Sequence, residues 1–249
     1  MSRSNNVDVK NPSTKFFEFK ADSGKLQYYD KETKLNVEVP YPFVFIVLDE
    51  LVTIKGYHKE FETGIYSNEI NSKNTKHPVK GILTAHCFSK PGKKVNFKIT
   101  GLWEQIKTDI EKEGGHFTKS VYIGIKDDKG KLQIANIHFK TTALSAWFEA
   151  VKRFDIYKKA VVITGTIDAA KGATKYKIPI FDAKEISAET NQSALNLDKE
   201  LQDYLTKYFN RGNEVESSDE VAQIDNSIPE DFNEDPTGHE VVDSDDMPF

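Results

Sequence analysis

Cysteine is almost missing from this chain: Cys87 is the only one in 249 residues. No internal disulfide can form, and no zinc site can be built from several thiolates. No apolar run approaches the roughly 20 residues that a membrane-crossing helix needs. The opening stretch, Met1-Ser2-Arg3-Ser4-Asn5-Asn6, lacks the apolar core of a secretory signal. These absences predict a soluble, intracellular protein with no membrane partner. The six histidines, His58, His77, His86, His116, His138 and His239, fall at no metal-ligand spacing. Phosphate-binding glycine loops and a Gly-x-Ser-x-Gly elbow are lacking as well. The expectation is a protein that is not an enzyme, with no cofactor and no metal. Carboxylate pairs remain at Asp49-Glu50 and Asp127-Asp128, so a metal-dependent nuclease is the enzymatic alternative. Asp127 and Asp128 are better explained by a turn.

Basic residues are missing from one segment only. Asn213 to Phe249 holds 13 Asp and Glu and no Lys or Arg, which leaves 26 acids against 34 bases in Met1 to Gly212. The net charge of −5 therefore hides a body of +8 and a tail of −13. Such an acidic block, with Pro, Ser and Asn and few large apolar residues, buries too little surface to offset its ordering entropy. The tail, 213–249, is expected to be disordered when free, and the body, 1–212, to be globular. A basic body suits a phosphate-rich partner; it argues against an acidic interaction protein such as a DNA mimic, the second alternative.

Within the body, Tyr41 to Leu48 and Leu51 to Tyr57 are dense in β-branched and aromatic residues, which predicts one long buried strand or a bent pair. Before it, Asp22-Ser23-Gly24 separates two short apolar stretches and signals a hairpin. Asp127-Asp128-Lys129-Gly130 signals another, between Tyr122–Lys126 and Lys131–Ile134. A helix follows, with Thr141 or Thr142 as its cap and Leu144, Trp147, Phe148, Val151 and Phe154 at helical spacing. Then come strands at 160–167 and 176–181, joined by the basic loop 169–175. Leu197, Leu201, Tyr204, Leu205, Tyr208 and Phe209 mark a closing helix, about 194–211, ending at Gly212.

This order, a long strand, a hairpin, a helix and a second hairpin, resembles the OB fold, a five-stranded barrel with a helix between its third and fourth strands. The expected fold class is thus mainly β. The resemblance runs from Tyr41 to Ser187 and makes 58–116 a large insertion after the first strand. That insertion contains strands near Ile65 and Gly81–Ala85, and a short helix with Leu102, Trp103, Ile106 and Ile110. In an alternative register the inner strands are themselves barrel members. Trp103 and Trp147 lie on helical stripes and read as core.

The last residues, Asp243-Ser244-Asp245-Asp246-Met247-Pro248-Phe249, resemble the tip of the bacterial single-stranded DNA-binding (SSB) family: acids, an aliphatic residue, Pro and a terminal Phe. The resemblance implies that Asp243, Asp245, Asp246, Met247, Pro248 and Phe249 dock replication, repair or recombination proteins. A Phe ring suits an apolar pocket, and the acids suit its basic rim. The body is unlike bacterial SSB, and a distinct OB body with such a tail looks more like the single-stranded DNA-binding proteins of bacteriophages. The implied location is the cytoplasm of a bacterial cell or of a phage-infected one.

Single strands are held by basic grooves and by aromatic faces on which bases stack. If Val121, Ile123 and Ile125 point inward, Tyr122 and Lys126 point outward; with Leu132 and Ile134 inward, so do Lys131 and Gln133. Lys171, Lys175 and Lys177 lie on or beside the loop between the last two strands. Tyr57 and the insertion lysines Lys90, Lys93 and Lys94 extend the expected groove. Opposite charges on body and tail further suggest that the tail rests near the groove until DNA displaces it.

Overall fold

The computed structural model describes residues 10–71, 81–88 and 95–214. An N-terminal meander, β1 (Phe16–Lys20), β2 (Lys25–Asp30) and β3 (Leu35–Val39), leads into the central strand, β4 (Phe43–His58). The stretch read as an insertion forms β5 (Thr63–Ser67), β6 (Ile70–Asn71), β7 (Leu83–Phe88), β8 (Val95–Gly101) and α1 (Trp103–Lys112). Then follow β9 (Gly115–Lys126), β10 (Leu132–Lys140), α2 (Thr141–Arg153), β11 (Ala160–Lys171), β12 (Thr174–Lys184) and α3 (Ala188–Glu214). The protein is mainly β, and no described helix is long and apolar enough to cross a membrane.

One sheet contains all the described strands, in the order β3-β2-β1-β10-β9-β4-β5-β7-β8, with β6 and β11 branching from β4 and β12 paired with β11. β4 is a single 16-residue strand with a register shift at Val47/Asp49. Its unbroken apolar run is explained by burial on both faces. Phe45 and Val47 enter the core under α2, Ile46, Leu48 and Leu51 the core under α3, and Val52 and Ile54 the core under α1. One edge of β4 pairs with β9 from Ile46 to Gly56, and the other carries β11, β6 and β5 in turn. The inner strands thus extend the sheet from the far half of β4.

The sheet does not close into the expected barrel. Closure of β4, β9, β10, β11 and β12 needs β12 to pair with β10, but that edge of β10 is occupied by β1, parallel, from Phe16↔Asn136 to Glu18↔His138. β12 meets the meander through the Lys177 N–H, which donates to Ala21 O at 2.7 Å. The turns follow their residues. Gly24 and Gly130 sit at φ of 73° and 77°, where a side chain is strained, and Asp127 Oδ1 accepts from the N–H groups of Lys129 and Lys131.

The helices cover the sheet. In α2, Trp147 is fully buried and stacks on Phe139 with ring centroids 4.9 Å apart. Its capping differs from expectation: the cap position is Lys140, with no side-chain cap bond, and Thr141 is already inside the helix. Trp103, Ile106 and Ile110 bury one face of α1. α3 starts earlier than 194 because Ser187 Oγ accepts from Thr190 N, an N-cap that satisfies one of the first free N–H groups. It also continues past Gly212 to Glu214.

Candidate nucleic-acid interface

Strand alternation divides the sheet into two faces. Phe17, Phe19, Val121, Ile137 and Phe139 enter the core under α2, so Glu18, Lys20, Thr118, Ser120, Asn136, His138 and Lys140 share the opposite face. The register continues that face sideways. His116 lies opposite Lys55, Lys55 opposite Tyr66, Tyr66 opposite His86, and His86 opposite Lys98. This row crosses β9, β4, β5, β7 and β8, and behind it Ile65, Cys87 and Phe97 pack in the core under α1. Four strand spacings of about 4.8 Å give it a length of about 19 Å.

Part of the row is aromatic. Tyr66 and Phe88 stack with centroids 5.8 Å apart and planes 22° apart; His86 and Phe88 do so at 5.7 Å and 16°. All three rings are half-buried and Lys98 is exposed. Burial, and then the charge of Lys98, lowers the His86 pKa, which favours the neutral ring.

The other part is cationic, with two acids set into it. Burial lowers the Lys55 pKa, opposed by the charges of Glu69 and Glu18. Burial would raise the Glu18 pKa, but Lys140 and Lys20 outweigh it and hold the carboxyl at about 2. Their ammonium groups lie 2.9 Å and 3.0 Å from its oxygens. Burial, followed by repulsion from Lys55, drives His138 down to about 3. Glu69 is raised by burial, against hydrogen bonds from Ser120 and Tyr122 and the charge of Lys55. Ser120 Oγ donates to one of its oxygens and Tyr122 OH to the other at 2.8 Å. The Glu69 N–H donates to Tyr208 OH at 2.8 Å, which ties the end of α3 to the border of this face.

The expected binding residues scatter. Tyr57 lies on the face with Lys55 and is half-buried. Tyr122 does leave the α2 core, as alternation requires, but it is fully buried beneath α3 with Ile46, Leu51, Leu201 and Leu205. Contrary to its expected outward placement, it therefore offers no ring to a base. Gln133 shares its strand face with Ala135 and Ile137, while Leu132 and Ile134 pack toward α3. Its expected outward placement is reversed because both faces of β10 are covered. Lys126 and Lys131 are exposed beside the β9–β10 turn, at the end of β9 away from His116. Lys171 and Lys175 are exposed on the β11–β12 hairpin, where Lys177 is paired with Asp168. Lys90, Lys93 and Lys94 lie outside the described residues, as do Asp243, Asp245, Asp246, Met247, Pro248 and Phe249.

The face also contains residues that the sequence reading passed over: Lys20, Lys55, Tyr66, His86, Phe88, Lys98, His138 and Lys140. A signal existed in Leu83-x-Ala85-x-Cys87, whose buried alternation sends His86 and Phe88 to the other side.

The carboxylates named as nuclease candidates are engaged elsewhere. Glu50 is buried and accepts from Trp147 Nε1 at 2.8 Å and from Tyr157 OH at 3.0 Å. Asp49 accepts from Glu50 N and from Gln202. Among the described residues no three His, Cys, Asp or Glu side chains gather into a metal-holding group. No protein family, curated protein or solved structure matches the chain.

Proposed function

We propose that the protein binds single-stranded DNA without acting as an enzyme, coating it in replication, recombination and repair. The observation that carries this reading is the cross-strand row His116, Lys55, Tyr66, His86 and Lys98, flanked by Lys20 and Lys140. Lysines supply the sequence-independent attraction for phosphates, and half-exposed rings supply flat surfaces for unpaired bases. The body charge of +8 supports it. So does the path β4, β9, β10, α2, β11, β12, in which β4 pairs with both β9 and β11 as the OB resemblance asks. On this reading the open sheet is an OB-type body in which β1 occupies the edge where a barrel would close.

The tip Asp245-Asp246-Met247-Pro248-Phe249 docks replication or repair proteins as in the SSB family, and the protein is of bacteriophage type, acting in the cytoplasm of a bacterial or phage-infected cell. The acidic tail competes with DNA for the basic face. The test is a titration with labelled oligo-dT and a duplex of equal length, with and without magnesium. Tight binding to the single strand that weakens steeply with salt, without cleavage, is expected. Cleavage in magnesium would instead support the nuclease, and no binding the acidic interaction protein.

A further inference from the structure

We propose that Tyr66, His86 and Phe88 form a base-stacking platform, carried by the insertion, that takes the flat faces of unpaired bases, with Lys55 and Lys98 holding phosphates on either side. This rests on the single-strand reading above and adds the subsite and the chemistry that it selects. Three observations support it. The rings come from two paired strands and stack on one another at near-parallel angles, so they form one aromatic stack that an unpaired base can extend. They lie on the far side of β5 and β7 from the core under α1, and neither Tyr66 nor Phe88 belongs to the three hydrophobic clusters of the described residues. Lys55 is the cross-strand neighbour of Tyr66, and Lys98 that of His86, so each cation lies one strand spacing from a ring.

The arrangement selects single strands by geometry. In a duplex the base faces are covered by their own stack, whereas a loose strand can lay successive bases on the rings while its phosphates meet the two ammonium groups. Stacking is indifferent to base identity because every base has a π-face, so the platform gives affinity without sequence preference. A row of about 19 Å suits a short contact, near the lower end of the 4–16 nucleotides, roughly, that compact single-strand modules occupy.

The experiment compares the full chain with its Tyr66→Leu and Phe88→Leu variants on two oligomers of equal length, oligo-dT and an abasic phosphodiester strand. Each leucine variant is expected to lose about 10-fold in affinity for oligo-dT, the equivalent of one stacked base. Binding to the abasic strand should stay within about twofold, and Tyr66→Phe should restore the wild-type affinity. Leucine variants that bind oligo-dT like the wild type, or that lose both oligomers equally, overturn the platform. Photo-crosslinking of the unmodified protein to an oligomer containing 5-iododeoxyuridine gives a readout free of folding effects. Adducts at Tyr66, His86 or Phe88 support the platform, and adducts confined to the β11–β12 hairpin overturn it. A wild type that binds neither oligomer overturns the single-strand reading itself, a result distinct from loss of the platform alone.

Discussion

His138 lies on the outer face of β10, where burial and the charges of Lys55 and Lys140 hold its pKa at about 3, against an ordinary value of 6.5. The unfolded chain takes up this proton near 6.5 and the folded protein does not until about 3, so stability falls as pH drops through that window. Between pH 6.5 and 5 the expected loss from this residue is about 2 kcal/mol. Glu18, at about 2 instead of 4.5, adds a loss in the same direction below pH 4.5. Urea unfolding at pH 6.5 and pH 5 should show His138→Gln losing about 2 kcal/mol less than the parent. Equal losses would contradict the assignment. Tyr122 separates packing from binding: Tyr122→Phe removes a hydrogen bond to the half-buried Glu69 and should cost about 1–3 kcal/mol of stability, with oligo-dT affinity unchanged. A selective loss of affinity would return Tyr122 to the interface.

At the scale of elements, α3 decides which part of the sheet face is open. Leu201 and Leu205 are buried against Leu51, Tyr122 and Ile134, whereas Leu195 on the same helix is 53% exposed. Leu201→Ala should destabilise by about 2–5 kcal/mol, and Leu195→Ala by no more than about 0.5 kcal/mol; thermal unfolding of the two variants checks the contrast. The same helix explains what was legible in the sequence. β4, the hairpin turns and the apolar stripes of α1, α2 and α3 are local patterns and read directly. Alternation correctly separated Tyr122 from Val121 and Ile123, but no pattern in β9 tells that a helix some 75 residues later covers its second face. The parallel pairing of β1 with β10 was hidden for a related reason, since it joins segments about 120 residues apart. The platform was hidden because Tyr66 and His86 become neighbours only when β5 and β7 pair.

At the scale of the molecule, the charge division assigns separate tasks. On the proposed function, a body of +8 attracts the phosphate backbone, and a tail of −13 competes with it over a range set by salt screening. Removing residues 215–249 should raise oligo-dT affinity at 50 mM salt and change it little at 300 mM, as read by fluorescence anisotropy; equal affinities at low salt would contradict the competition. Single-stranded DNA is proposed to bind the sheet face that holds Lys55 and Lys98. The most direct measurement of this is the salt dependence of oligo-dT binding for the full chain and for a Lys55→Gln, Lys98→Gln double variant. Each lost phosphate contact lowers the steepness of log K against log salt by about 0.7, so the predicted slope is shallower by about 1.4, with weaker binding at every salt. An unchanged slope would show that the strand binds elsewhere on the protein.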